Sequence, residues 1–470
     1  MVTMINGDAG LAQVDAGLHR SPCTWMAAAG CGDADDRPFT WDARVNMASM
    51  VDSAAGASQV DAGASQVDAG PARKVVTEPE DEATHVFDQG ELRTYNIIVE
   101  PEELAKIEAD PALEEYVTGK LEFEGKTYGP LGVRYKGSVG AFLPPCTGSN
   151  SFASAASRGP RIGKCSMKLD FDRFASDARF YGLKKLNFHS GNRDPALMRD
   201  RLGYALFREF GVVAPRAVHA RLLVNGEFRG VYVVVEQIDG RFTKSRFSEG
   251  GDGNVYKEVW PRTTTEATYQ DALATNVDEM PSVQKFVDFA DAMAKREDVS
   301  EWLDMEYMFH YIAVDRVIVN DDGPMHSYCN YSHNYYWYES ALEQRFWLMP
   351  WDLDASFQLG AQAMTQTHLP QPWNTPTMLC SCSTTACDPV WRQFAERKDE
   401  YERTVDDFLT GPYSAENVNA KLDAWVAQID YAMKDANGLG ETLDYQEWQK
   451  AIATFRSDIE TSRMHRGFPY

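Results

Sequence analysis

The chain has 470 residues, 44% of them apolar and 12% aromatic, which is ample for a buried core and excludes a wholly disordered protein. Forty-six Lys and Arg against 70 Asp and Glu give a net charge of −24. A surface that acidic repels phosphate backbones and anionic lipid, so nucleic-acid binding and polybasic membrane docking are set aside.

No run of about 18 apolar residues occurs, so no transmembrane segment is expected. Residues 1–90 read as an unpacked tether. The heptapeptide Ala-Ser-Gln-Val-Asp-Ala-Gly stands at 57–63 and again at 64–70, among small polar and acidic residues that bury too little apolar area to offset chain entropy. Upstream, Arg20 precedes Ala27-Ala28-Ala29-Gly30-Cys31, which resembles the cleavage box of a bacterial lipoprotein. That pattern predicts a lipid anchor at Cys31 and a place in the cell envelope or outside the cell; the alternative is an ordinary disordered leader. The eight cysteines show no zinc spacing. Cys380, Cys382 and Cys387 lie in a loop-like stretch where disulfides are expected, and connectivity is not readable.

From residue 92 the pattern becomes regular. Thr94 to Val99 alternates like a strand, Pro101 to Ile107 begins a helix, and Leu131 to Tyr135 is a strand that ends in Lys136-Gly137-Ser138-Val139-Gly140, a small-residue turn. Lys164 to Phe171 alternates, with Lys164, Ser166 and Lys168 on one face and Cys165, Met167, Leu169 and Phe171 on the other. Asp194-Pro195 predicts a helix start, closed by Gly211. Ala220 to Val224 and Val231 to Val235 flank Asn225-Gly226, a hairpin signal. Glu236 to Gly240 reads as a connector to a helix-rich half. That half opens with a helix around 301–318, then the loop Asn320-Asp321-Asp322-Gly323-Pro324. Two short aromatic strands follow, Tyr335 to Tyr338 and Arg345 to Met349. They deliver the chain to Pro350-Trp351-Asp352-Leu353-Asp354, and a further helix is expected at Tyr445 to Arg463.

The order of apolar helix, loop with Asp, Asn, hairpin and Asp has a chemical meaning. Phosphoryl transfer asks little covalent chemistry of a protein. It needs a carboxylate to orient or accept the proton of a hydroxyl, and hard oxygen ligands to hold magnesium between phosphates. Asp322 fits the first role, with Asp321 as its alternative. Asn334 and Asp352 fit the second, and Asp354, two residues on, is a further metal candidate. Lys164 or Lys168 is expected to pair with the phosphates, the turn at Gly137-Ser138 to cover them with backbone amides, and Arg134 and Lys136 just before it are further nucleotide-binding candidates. Asp200 and Glu209 both qualify as the lysine's partner on the helix after Pro195. Glu236 and Ile238 sit where a connecting segment would read adenine through backbone groups, and Lys257 is a candidate near the nucleotide.

The run Val319-Asn320-Asp321-Asp322, then His333-Asn334-Tyr335-Tyr336, then Pro350-Trp351-Asp352-Leu353-Asp354 resembles the CotH kinase family of spore-coat proteins. So do Arg134-x-Lys136-Gly137-Ser138, Lys164-x-Ser166, Arg199-Asp200, Asn225-Gly226-Glu227, Gly230-Val231-Tyr232 with Glu236, and Val255-Tyr256-Lys257. The similarity spans about residues 92–465. It implies an atypical, ATP-dependent protein kinase: an α+β, bilobal kinase-like fold with a β-rich N-lobe at 91–240 and a helix-rich C-lobe at 241–470. By match to the motif, Asp322 corresponds to the catalytic Asp and Asn334 and Asp352 to the magnesium pair. Asn334 follows Asp322 by 12 positions, a far longer step than in ordinary kinases, and the cysteine-containing stretch near 360–390 has no counterpart in the resemblance.

The reading is therefore a Ser/Thr kinase using ATP and Mg²⁺ on a protein acceptor of the envelope or spore coat, the acidic surface favouring a basic, Ser-rich one. Adenylyl transfer or amino-acid ligation on the same fold, and a non-catalytic coat scaffold, are the alternatives. Oligomeric state is not legible.

Overall fold

The computed structural model describes residues 76–111, 114–137, 146, 164–191, 193–247, 251–320, 322–325, 333–357, 388–437, 439 and 444–467. The heptapeptide repeats, Cys31, Ser138, Asp321 and the cysteines at 380–387 lie outside them.

Alternating apolar residues build the first half. Strands β1 (Arg93–Val99), β2 (Val117–Phe123), β3 (Lys126–Tyr135), β4 (Met167–Asp170), β5 (Lys185–His189), β6 (Ala217–Val224) and β7 (Glu227–Glu236) close a barrel in the order β1-β2-β3-β4-β5-β7-β6. Closure comes from parallel pairing of β1 with β6, Arg93 opposite Ala220. The β6–β7 hairpin turns at Asn225 and Gly226, whose φ values of 52° and 81° give the doubly left-handed turn that this dipeptide favours. Helix α1 (Pro101–Ala109) joins β1 to β2, and α2 (Arg199–Glu209) joins β5 to β6.

The second half holds α3 (Gly240–Arg246), β8 (Val255–Lys257), α4 (Glu266–Asp271), α5 (Gln284–Ala294), α6 (Met305–Val317), β9 (Tyr335–Glu339), β10 (Phe346–Pro350), α7 (Pro389–Ala395), α8 (Lys398–Thr410), α9 (Ala415–Asp435) and α10 (Tyr445–His465). Strands β8, β9 and β10 form an antiparallel sheet with β9 at its centre. The chain is thus mixed α+β, and among the described residues no helix is long and apolar enough to cross a membrane.

Two hydrophobic clusters fill the interior. The alternation of β7 serves both: Tyr232 and Val234 point into the barrel, while Val231, Val233 and Val235 join the cluster of α2, α6 and the β8–β10 sheet. That double burial is why the strand reads as an almost continuous apolar run.

Three expectations are corrected here. Residues 76–90 are not tether: Ala83, Val86 and Phe87 are buried, Arg208 pairs with Glu78, and Arg216 and Arg241 pair with Asp81. The predicted strand from Lys164 begins only at Met167, so the alternation does not reach back to Lys164. The helix after Asp194 starts at Arg199, because Leu197 adopts φ 62° and interrupts it. Asp194 still serves that helix: its carboxylate accepts from the Arg199 N–H at 2.7 Å. As expected, Gly211 follows the helix with φ 79°. Cys146 and Cys165 form a disulfide, a pairing not legible in the sequence.

Candidate functional site

The end of α6 and the β9–β10 hairpin carry Asp322, Asn334 and Asp352 on segments tied to one another by backbone hydrogen bonds. Asp304 caps α6 by accepting from the Tyr307 N–H at 3.0 Å, and the helix is buried almost all round. Past Ile318 the chain turns through Val319, whose φ of 52° is an outlier for a β-branched residue. The Asn320 amide then donates to Asp315 Oδ1 at 2.8 Å, and its backbone N–H to Asp315 O at 3.0 Å. Gly323 is needed in this loop, since a Cβ there would come within 2.3 Å of Asn320 Nδ2. Asp322, held by this frame, lies 3.4 Å from Arg193 Nη1.

Across the hairpin, Trp351 N–H donates to Asn334 O at 2.9 Å, which puts Asn334 opposite the residue before Asp352. Asn334 (φ 60°) and Asp352 (φ 49°) are both left-handed. Non-glycine residues hold such conformations at a cost of about 1–3 kcal/mol each, and they collect at functional sites. The Asp352 N–H donates to Tyr204 Oη at 2.8 Å and the Leu353 N–H to Asp200 Oδ1 at 2.8 Å, so α2 grips this turn. The grip is close, because a Cβ on Gly203 would stand 2.7 Å from Leu353 Cδ1. The Phe357 N–H donates to Ile318 O at 2.6 Å, which ties the Asp352 turn to the root of the Asp322 loop.

The barrel contributes Lys136, just past β3. Its ammonium lies 2.9 Å from His189 Nε2 and 5.6 Å from the centre of the Trp351 ring. His189 Nδ1 lies 2.8 Å from Asp200 Oδ2, and single ligand atoms of His189, Asp200 and Asp352 all fall within 4.8 Å of one another. Burial lowers the Lys136 pKa, against the pull of the Asp352 and Asp200 carboxylates. Asp354 is held well above the usual carboxylate range by burial and then by Asp352 and Asp200, with Arg193 acting in the other direction.

The other predicted residues separate. Lys168 points along the same barrel face and donates to Gln237 Oε1 at 2.8 Å; burial, with Lys136 beside it, lowers its pKa to about 7. Arg134 lies opposite Lys168 in the β3–β4 pair and binds Glu114 at 2.7 Å, which also accepts from the Gly137 N–H at 2.9 Å. Lys164 sits apart, its ammonium 4.9 Å from the centre of the Tyr232 ring, and burial lowers its pKa to about 7 against the pull of Asp194. Glu236 is fully buried among Arg216, Arg241 and Arg246, and its N–H donates to Arg216 O at 2.9 Å. The Ile238 carbonyl accepts from Gln237 Nε2 at 3.0 Å. Lys257 is exposed on β8, 3.6 Å from Glu258, whose carboxylate accepts from the Asn334 N–H at 3.2 Å.

Of the two acids on α2, Asp200 faces the site, whereas Glu209 pairs with Lys421 on the other side of the helix. Sequence reasoning missed His189, Arg193 and Tyr204. A lone His in a strand and a Tyr within a helix carry no spacing signal; Arg193, beside Asp194-Pro195, was the nearest to legible.

The Asp315 carboxyl supports a stability prediction. Burial raises its pKa to about 7, in spite of the Asn320 hydrogen bond. A raised carboxyl contributes stability that is present below its unfolded value of 3.8 and lost as pH rises through about 7. Asp315→Asn removes that loss, and the new amide can also donate to Asn320 Oδ1, which has no partner here. At about 1.4 kcal/mol per pKa unit, the variant is expected to gain a few kcal/mol on the parent between pH 5 and pH 8 in urea unfolding. An equal gap at both pH values would contradict this.

Comparison with known proteins gives a match to the family model described as CotH kinase protein over residues 133–464. Inner spore coat protein H of Bacillus subtilis (strain 168) is 23% identical over 294 residues, covering 58% of this chain and 75% of that protein. Inner spore coat protein H-like protein of the same organism is 32% identical over 76 residues, 16% of this chain and 23% of that protein.

Proposed function

The chain belongs to the family of CotH kinase proteins, and on that premise we propose that it is a protein Ser/Thr kinase that uses ATP and magnesium. The observation that carries the reading is the meeting of three separate segments: Lys136 from the barrel, Asp200 from α2, and the Asp352 turn that is tied to the Asp322 loop. In this reading the fold is bilobal and kinase-like, with the barrel as N-lobe and the helix-rich half as C-lobe.

The donor set suits a hard dication. Burial first, and then the neighbouring carboxylates of Asp352 and Asp200, keep Asp354 from ionising, with Arg193 as a nearby counter-charge. Oxygen-rich crowding of this kind is what magnesium relieves. Asn334 and Asp352 would hold the ion, with Asp354 beside them, and the ion would supply neutralisation of charge across the phosphates. The remaining work falls to the chain's own groups. Lys136 and Lys168 would face the phosphates, with Arg134 behind them and the Gly137 backbone beside them. Ile238, just past the buried Glu236, and Lys257 would border the nucleotide. Asp322, oriented by Arg193, accepts the proton of the acceptor hydroxyl as its oxygen bonds the γ-phosphorus and the bond to the β,γ-bridging oxygen breaks, releasing ADP.

The relative's name, inner spore coat protein, supports a place in the coat or envelope. A net charge of −24 supports a basic, Ser-rich protein acceptor. ATP is scarce outside the cytoplasm, so a coat location requires nucleotide from the surrounding cell.

With magnesium, the purified chain is expected to label an acceptor from γ-labelled ATP and to release ADP. Label arriving only from α-labelled ATP would replace this reading by adenylyl transfer. Absence of nucleotide binding would leave a scaffold.

A further inference from the structure

Lys136 and Asp200 are the charges that the barrel and α2 bring to the site, and a histidine stands between them. Lys136 Nζ is 2.9 Å from His189 Nε2, and His189 Nδ1 is 2.8 Å from Asp200 Oδ2. An ammonium only donates and a carboxylate only accepts. The imidazole that satisfies both is neutral, with its proton on Nδ1 and a bare Nε2. A proton on Nε2, in the other tautomer or in the imidazolium, would face the ammonium. The alternative, a neutral lysine accepting from an imidazolium, forfeits the contact of a charged ammonium with the Trp351 ring, whose centre lies 5.6 Å from Lys136 Nζ, although burial works against the ammonium.

The arrangement is fixed on every side. His189 is buried at the end of β5, its ring set edge-on to Trp351 with centroids 5.8 Å apart. The second oxygen of Asp200 takes the Leu353 N–H at 2.8 Å. One chain of hydrogen bonds therefore runs from Lys136 through His189 and Asp200 to the residue after Asp352.

We infer that His189 is a positioning residue: a neutral spacer, locked as the Nδ1–H tautomer, that sets Lys136 at the phosphates and couples it through Asp200 to the Asp352 turn. What Lys136 holds rests on the kinase reading; the tautomer does not.

Two measurements on the full chain test this. Nitrogen-15 NMR of histidine-labelled protein, with His189 assigned through His189→Gln, is expected to show a protonated Nδ1 and a bare Nε2. The opposite tautomer, an imidazolium, or an Nε2 resonance that shifts on titration with Zn²⁺ as a ligand's would, overturns the inference. For turnover, the Gln side chain offers an N–H and a C=O at about the spacing of the two ring nitrogens, whereas Phe keeps the shape and offers neither. Misplacement of a positioning contact costs about a hundredfold, so His189→Phe is expected to lose about that much kcat with little change in the nucleotide KM, and His189→Gln to stay within about threefold of the parent. Equal activity in both variants, or equal loss in both, overturns the positioning role. A parent chain that transfers no phosphate refutes the kinase reading instead and leaves the tautomer to be judged by NMR.

Discussion

Asp352→Asn is expected to cut phosphoryl transfer by at least about a thousandfold, equivalent to about 4 kcal/mol of lost transition-state stabilisation. The substitution changes charge and little else. Asn tolerates the left-handed backbone that Asp352 adopts at φ 49°, and the N–H that donates to Tyr204 is retained. The turn should therefore keep its shape while its anionic oxygen, the strongest candidate ligand for magnesium, is gone. Thermal unfolding of the nucleotide-free variant should stay close to the parent's, because relief of Asp354 from the Asp352 charge is offset by the counter-charge that Lys136 loses. Transfer from γ-labelled ATP at more than about a tenth of the parent rate would remove Asp352 from the mechanism.

Glu236→Gln has the largest expected effect on stability, about 3–5 kcal/mol. The carboxylate is wholly buried and binds Arg216 at 2.8 Å, Arg241 at 2.8 Å and the equally buried Arg246. Burial alone would raise its pKa, but Arg246, Arg216 and Arg241 outweigh burial and hold it far below the usual carboxylate range. An amide in its place leaves three guanidiniums crowded together, with Asp81 the acid left among the described residues to answer Arg216 and Arg241. Because whole domains are stable by only about 5–15 kcal/mol, this is a large share. Urea unfolding measures it, and a loss below about 1 kcal/mol would show that the cluster relaxes around the change. The pH dependence has a definite sign. A depressed carboxylate contributes stability that is present above its ordinary value of 4.5 and lost as pH falls towards its folded value. The parent should thus lose stability below about pH 4 more steeply than Glu236→Gln.

What was legible was local. Asn225-Gly226 carries its own turn chemistry, and its hairpin formed where expected. The β9–β10 pair, with Phe346 opposite Glu339, follows from two aromatic runs joined by a polar turn. The Asp322–Asn334–Asp352 order was visible because each residue borders a strongly apolar or aromatic element. What stayed hidden depends on side chains that meet across the fold. Glu236 looked like part of a connector exposed to nucleotide, and nothing nearby in sequence announces Arg216 or Arg246 as its partners. Lys164 and Lys168 looked alike on one strand face. The strand starts too late to include Lys164, and it is the other candidate, Lys136, that the Asp352 and Asp200 carboxylates pull on. Residues 76–90 read as tether because their anchors, Arg208, Arg216 and Arg241, lie more than a hundred residues away.

Calorimetric titration of ATP into the purified chain, with and without magnesium, tests the central claim most directly. Binding that weakens at least about tenfold when magnesium is withheld, and in Asn334→Ala and Asp352→Asn with magnesium present, is the predicted result. Binding of equal strength in all four cases would contradict a shared metal–nucleotide site built from these residues.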